Sequence, residues 1–387
     1  MRFSFLRFTF LAMSTPAENT SSATNGNMKS PTASTGSVWP TIELPSDPDP
    51  KILHSGTHYR QIEAVESLLN YCDDHVREMS TRRDLGGTDS FLNGASWIAP
   101  RIFLSNARLA DRSNTPTLNR DGFQLIENII PQAKSNPIDF TNQQEVTERY
   151  YPLCEKLLQG FFNAQENDRA PALVRAFDHN LRVSGSKSHD AEGNTVLQQP
   201  IGVVHNDYTH VSAPRRLEQL GETPKANDSL KSVLKDQSLL EPQLVQEVLD
   251  GKRRFCFVNV WRNMDREEAV QQFPLACASA NTVSMEDLLT FSIIYADRIG
   301  ENYFSRFSKS HRWHYFPQMK HSEALLIKQW DSSGTLAQQK ESSGNTHHGA
   351  FRSTFSLHSA FQDPTSTSDA PPRKSIEVRC VLIWDQA

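Results

Sequence analysis

The sequence predicts a mainly β chain with flanking helices, an α+β protein built on a β-sandwich or jelly roll. Two observations predict it. Beyond about residue 170, short apolar runs of strand length alternate with loop-rich spacers. A His-x-Asp pair, His205-Asn206-Asp207, is answered far downstream by His358 and then by Arg373-Lys374-Ser375. A closed β fold brings such distant segments together by pairing remote strands.

Residues 1–38 open on MRFSFLRFTFLA and continue through a Ser/Thr/Asn/Ala-rich tract. The tract lacks the apolar surface needed to order itself and reads as a disordered tail. The apolar opening is broken by Arg7 and has no small-residue cleavage site, so a targeting segment is the alternative to a cytoplasmic chain starting near Met13. Residues 39–387 read as a single catalytic domain with an N-terminal helical and loop elaboration. Within it, Gln61 to Met79 carries Ile62, Val65, Leu68, Leu69 and Cys72 at helical spacing and predicts a helix. Gln144 to Phe162 predicts a second, with Tyr150, Leu153, Leu157 and Phe161 on one face and a kink at Pro152. Strands are expected at Ala172–Phe177, Gly202–His205, Arg254–Trp261, Ala324–Trp330 and Ser375–Trp384, with helices near Glu241–Leu249 and Met285–Tyr295. The polar stretch Ala337 to Asn345 reads as a lid-like loop.

Composition narrows the function classes. The net charge is −5 over 387 residues and no basic stripe is present, which argues against nucleic acid as a partner. No run approaches the length of a membrane span. Five cysteines, an odd number with no Cys-x-x-Cys spacing, favour free thiols in a reducing compartment. There is no Gly-x-Ser-x-Gly elbow for a hydrolase and no glycine-rich βα turn for a methyltransferase. Twenty-one Phe and six Trp can line an apolar pocket for a small molecule. Oligomeric state is not readable.

The chemistry resides in the His/Asp pattern. In a strand, residues i and i+2 project to one side, so His205 and Asp207 point together. With His358 they supply two imidazoles and a carboxylate, the donor set of an open ferrous site. His347 and His348, in a similar His-Gly-Ala-Phe segment, compete with His358 as third ligand. The terminal run Arg373 to Trp384 alternates, placing Arg373, Ser375, Glu377 and Arg379 on one face and Ile376 and Val378 on the other. The choices for that charged face are solvent or a polar cavity, and its place just after the ligand favours a cavity for Arg373 and Arg379. A guanidinium fork suits the carboxylate of a co-substrate.

The chain resembles the fungal asaB-type hydroxylase/desaturase family, with gibberellin desaturase-like and CmcJ-like relatives. The blocks that carry the resemblance are Phe177-Asp178-His179-Asn180-Leu181-Arg182, His205-Asn206-Asp207-Tyr208, Val258-Asn259-Val260-Trp261-Arg262, Trp313-His314-Tyr315-Phe316-Pro317, Lys328-Gln329-Trp330-Asp331-Ser332, His358-Ser359-Ala360-Phe361 and Arg373 to Arg379. One departure is Asn263-Met264 after Arg262, where the family usually has proline. The resemblance implies a double-stranded β-helix (jelly roll or cupin-like), Fe(II), O2 and 2-oxoglutarate, and hydroxylation, desaturation or cyclisation of a small carboxylate-bearing metabolite in fungal secondary metabolism. It implies His205, Asp207 and His358 as iron ligands and Arg373 with Ser375 as the 2-oxoglutarate anchor. Arg262, Tyr315 and Arg379 are then candidates for lining the substrate pocket. An Fe(II)/O2 oxidase without 2-oxoglutarate, and a non-catalytic jelly-roll binding protein, are the alternatives.

Overall fold

A computed structural model describes residues 52–54, 62–82, 92–127, 137–165, 169–186, 191–192, 195–225, 228–295, 298–339 and 350–385. The expected tail, the His347/His348 pair and most of the lid-like stretch lie outside these residues.

Two sheets make the body. One has seven strands in the spatial order Ala191–Glu192, Thr195–Gln198, Leu173–Val183, Lys374–Ile383, Phe255–Asn263, Ala324–Asp331 and Phe123–Ile126. The other has eleven, and its centre runs Trp313–Tyr315, Leu275–Ala278, His358–Ala360, His205–Asn206, Ile299–Ser305. The inner faces pack together: Phe123, Trp261, Leu325 and Ile327 of the first sheet share one core with Leu275 and Cys277 of the second. This is the double-stranded β-helix the sequence predicts, the expected packing of two half-buried sheets.

The outer face of the seven-stranded sheet carries the other half of each alternation. Val258, Val260, Ile376, Val378, Cys380 and Leu382 are buried there beneath the helix Tyr151–Asn163. That helix follows the short turn Gln143–Glu145 and a π-helical turn, Val146–Tyr150. Pro152 falls in the first turn of the helix, where its missing N–H costs least. The wide turn also rotates the chain, so the buried residues are Tyr151, Cys154, Leu158 and Phe162. Of the expected stripe, Tyr150 is buried, and Leu153, Leu157 and Phe161 are half-buried beside them.

Two expected helices are strands. Ile62–Leu68 pairs with Ile52–His54 and with Arg101–Asn106. Its helix-like spacing is overridden by sheet pairing that buries Ala64, Val65, Glu66 and Ser67 alike, with Glu66 neutralised by Arg101 at 3.1 Å. Met285–Asp287 forms a single 3-10 turn closed by a Ser284/Asp287 capping box. The β-rich Leu288–Ile294 then pairs with Ile299–Ser305. The helix expected near Glu241–Leu249 is observed as Pro242–Leu249, with its proline in the first turn.

Candidate metal centre

His205 and His358 are direct partners in one antiparallel pair. Directly opposed side chains share a face, so the two rings meet with centroids 4.3 Å apart. Each ring is oriented from behind in the same way. His205 Nδ1 lies 2.7 Å from the carbonyl of Val203, and His358 Nδ1 lies 3.2 Å from the carbonyl of Ser356. Both contacts hold the proton on Nδ1 and leave Nε2 as a free lone pair, the tautomer a metal ligand requires.

Asp207 completes the cluster, with one ligand atom from each of the three residues lying within 4.8 Å of the others. Its two oxygens are differentiated. Oδ2 accepts from Asn259 Nδ2 at 3.1 Å and from Arg379 Nε and Nη2, both at 3.2 Å. Oδ1 faces His205 Nε2 at 3.8 Å. The backbone N–H of Asp207 donates to Gln329 Oε1 at 3.1 Å.

Two irregularities aim these supports. The pairing of Phe255–Asn263 with Ala324–Asp331 shifts between Phe257 and Val258, which leaves Gln329 as the extra residue of a bulge and turns it towards Asp207. The pairing of Lys374–Ile383 with Leu173–Val183 shifts between Arg379 and Cys380, so that Phe177 is extra and Asp178 lies opposite Arg379. Bulges beside a site re-aim side chains in this way. Asp178 then accepts from Arg379 Nη1 at 2.8 Å, while Ser229 Oγ donates to its other oxygen at 2.7 Å.

Electrostatics agree with a cation site. Burial would raise the Asp207 carboxyl, but Arg379 and then the two imidazoles override it and hold it well below the usual carboxylate range. Burial, then His358, pushes His205 down to about 4, and burial also lowers His358. All three therefore stand at neutral pH in the ionisation state that binds a metal. Cys277 stands opposite His358 in register, which the sequence did not reveal. Its sulfur is not part of the cluster, and burial, then Glu377, keeps its thiol protonated.

The cluster opens on a small cleft lined by Arg182, Ile201, Trp261, Leu275, Ala360, Arg373 and Glu377 with the three donors. Arg373 is 2 % exposed, donates from Nε to Ser375 Oγ at 3.0 Å and from Nη1 to the Phe273 carbonyl at 2.6 Å, and stacks 5.1 Å over Trp261. Of the charged face expected to meet solvent or a cavity, Arg373 and Glu377 line this cleft.

Three expected pocket residues are placed elsewhere. Arg262 follows Trp261 and therefore faces the other side of the sheet, where Nε donates to the His321 carbonyl at 2.6 Å. Tyr315 packs edge-on against Phe361 at 5.3 Å and is not among the cleft residues. Arg379 has its guanidinium committed to Asp207, Asp178 and, at 3.5 Å, Glu377. Conversely, Arg182, Trp261, Glu377, Asn259 and Gln329 belong to the site or its support without having been singled out. Glu377 was legible from its alternation with Arg379, whereas the bulge that turns Gln329 inward has no signal in the sequence.

Two imidazoles and one carboxylate, held from behind on a double-stranded β-helix and open to a cleft on one side, are the arrangement of the non-haem ferrous oxygenase class. The chain belongs to the family described as the YDMC Oxidoreductase/YMDC permease-like domain, whose model matches residues 94–383. It is 33% identical over 225 residues to the "Uncharacterized protein in dcmA 3'region" of Methylophilus leisingeri, covering 56% of this chain and 98% of that one. It is 25% identical over 300 residues to the hydroxylase/desaturase poxK of Penicillium oxalicum, covering 72% of this chain and 78% of poxK. The solved structure of the iron and alpha-ketoglutarate-dependent endoperoxidase NvfI superposes with a TM-score of 0.61 at 22% identity, covering 84% of this chain and 99% of that one.

Proposed function

We propose that this chain is a ferrous, 2-oxoglutarate-dependent oxygenase that hydroxylates, desaturates or cyclises a small carboxylate-bearing metabolite in secondary metabolism. The observation that carries the reading is the division of labour among donor atoms. In each ligand residue one atom is tied to the protein and the other is left facing its fellows. Charge supports the co-substrate. With carboxyls ionised, Arg182, Arg373 and Arg379 balance Asp178, Asp207 and Glu377, so a divalent cation leaves an excess that a dianion neutralises. The names of poxK and NvfI describe chemistry of the same kind.

His205, Asp207 and His358 would hold the iron, which when bound with 2-oxoglutarate and O2 supplies the power to oxidise a C–H bond. The chain's own work is positioning. Val203 and Ser356 fix the imidazole tautomers, and Arg379 with Asn259 keeps one carboxylate oxygen of Asp207 turned to the ion. Arg373, steadied by Ser375 and Trp261, would hold the distal carboxylate of 2-oxoglutarate in a bidentate grip. Ile201, Leu275 and Ala360 make an apolar wall that limits water around the reacting groups. The reading takes residues 39–387 as one catalytic domain with residues 1–38 as a tail, acting on a small molecule without nucleic acid or membrane. Among the described residues no helix is long and apolar enough to cross a membrane. Five buried free thiols support a reducing, cytoplasmic setting.

The test is an anaerobic titration of metal-free protein with ferrous iron and then 2-oxoglutarate. A visible charge-transfer band, absent in His205→Ala and weakened in Arg373→Met, is the expected result. Iron binding without the band would replace this reading with an oxidase that needs no 2-oxoglutarate. No iron binding would leave a jelly-roll binding protein.

A further inference from the structure

Arg262 is a cation buried on the face of the seven-stranded sheet that looks away from the metal centre. It is 1 % exposed. Its partners in register are Ala324 and Ile376, both part of the apolar layer beneath the helix Tyr151–Asn163. Nε donates to the His321 carbonyl, whereas Nη1 has no partner. No carboxylate of the described residues lies within 4.0 Å of the guanidinium. Two acids close by in the chain or the sheet are committed elsewhere. Glu323 accepts from both Nη groups of Arg108, at 2.6 and 2.9 Å. Asp265 accepts from the backbone N–H groups of Glu267 and Glu268 and from Lys374. A buried charge left without a counter-charge is strongly destabilising.

Tyr150, at the end of the π-helical turn, and His321 bring two further orphan atoms to the same region. The Tyr150 hydroxyl and His321 Nε2 are both sealed from solvent without a hydrogen-bond partner. Phe140 stands edge-on to each ring, at 5.0 and 6.3 Å. Burial, then Cys154, pushes the Tyr150 hydroxyl well above its ordinary range while Arg262 opposes them, so the hydroxyl keeps its proton beside the guanidinium. His321 Nδ1 lies 2.9 Å from the Asn263 carbonyl, which places the proton of the neutral ring there and leaves Nε2 as a lone pair. After burial, Arg262 is the main charge holding His321 neutral; Arg266 adds to it and Asp265 opposes it. A water molecule satisfies orphan atoms of this kind but leaves the charge of Arg262 uncompensated, whereas a monoanion answers both.

We propose that Arg262, Tyr150 and His321 form a halide site. Arg262 Nη1 and the Tyr150 hydroxyl donate to a chloride-sized anion, and His321 takes up a proton on Nε2 to become the third donor. Because all three atoms are sealed from solvent, the ligand is a single atom in size. The anion ties the turn Val146–Tyr150 to the strand Phe255–Asn263, directly behind Trp261 of the cleft.

The experiment measures urea unfolding of the full chain in sodium bromide against sodium gluconate at equal ionic strength. In the parent at pH 5.5, bromide should lower the unfolding constant about tenfold, the effect of a ligand present at roughly ten times its Kd. The effect should shrink towards pH 8, because the anion binds together with a proton. It should vanish in Arg262→Gln. In Tyr150→Phe the affinity should fall about 3- to 10-fold for loss of one donor, and this variant is the informative one if Arg262→Gln does not fold. His321→Gln should keep a bromide effect that no longer varies with pH. The cleft has arginines of its own, so the effect must persist in Arg373→Met. The proposal is overturned if the parent gains nothing from bromide, which would leave only a water among the three groups. It is overturned equally if the gain is unchanged in both Arg262→Gln and Tyr150→Phe, is lost in Arg373→Met, or is the same in the parent at pH 5.5 and pH 8.

Discussion

His205 and His358 face each other across a single antiparallel pair, with ring centroids 4.3 Å apart and Nδ1 atoms turned to carbonyls two residues upstream. The metal centre is therefore a property of strand register. A one-residue slip of either strand would carry its imidazole to the opposite face of the sheet.

Replacing any of the three donors by Ala should abolish stoichiometric iron binding, measured by metal analysis after anaerobic loading. The metal-free proteins should nevertheless differ. Asp207→Ala leaves Arg379 with one of its three carboxylate partners missing, an expected loss of about 1–3 kcal/mol in chemical denaturation. His205→Ala removes a neutral ring and exposes no charge, so its cost should be that of a partly relaxed cavity. A loss below about 1 kcal/mol for Asp207→Ala would contradict the role given to Arg379.

The groups behind Asp207 predict a graded effect on the metal. Asn259→Leu removes the 3.1 Å donor to Oδ2, and Gln329→Leu removes the acceptor for the Asp207 N–H. Each should weaken metal binding by about 10- to 100-fold, the usual cost of losing an outer partner of a ligand. Competition against a calibrated chelator measures this directly. Unchanged affinity in both would show that Asp207 is held by Arg379 alone.

The His205/Asp207/His358 cluster was legible because i, i+2 projection is a local rule and because His358 has the right order along the chain. The terminal strand's alternation left solvent or a cavity open, and its place after His358 was the sign of the cleft that Arg373 and Glu377 line. Arg262 and Tyr315 are misplaced for one reason, since a block match says nothing about which face of a sheet a residue occupies, whereas Arg379 faces inward as expected and is taken up by Asp207 and Asp178. Trp261 takes the cleft and Arg262 must then face away. Tyr315 pairs with Ala276, next to Cys277, and so faces away from His358. Gln329 reaches Asp207 only because a bulge breaks the alternation, and Ile62–Leu68 is a strand only because two neighbours pair with it. Such tertiary facts leave no mark on periodicity.

Arg262 and Tyr315 accordingly predict stability without ligand effects. Tyr315→Ala removes a buried aromatic side chain and should cost about 3–5 kcal/mol. Arg262→Met should destabilise by freeing the His321 carbonyl. In both, provided the protein is folded, affinities for metal and 2-oxoglutarate should stay within about twofold of the parent. A selective loss of ligand binding would return these residues to the pocket.

Arg262 also sets an acid-sensitive point in the fold. His321 holds its Nδ1 2.9 Å from the Asn263 carbonyl, and its pKa is lowered to about 4 by burial first and by Arg262 next. In the unfolded chain it titrates near 6.5. Between those values the unfolded state binds the extra proton, so stability rises with pH. The contribution is fully present above about 6.5 and is lost progressively as pH falls towards 4. Raised carboxyls such as Glu377 act in the opposite sense in part of this window, so the test must be a difference between variants. Relative to the parent, His321→Gln should flatten the fall in denaturation midpoint between neutral pH and pH 5, by about 1–2 kcal/mol after allowing for solvent screening. Arg262→Met should flatten it partly, because removing the cation lets His321 accept a proton more readily. Equal slopes in all three proteins would mean that other buried groups carry the acid sensitivity.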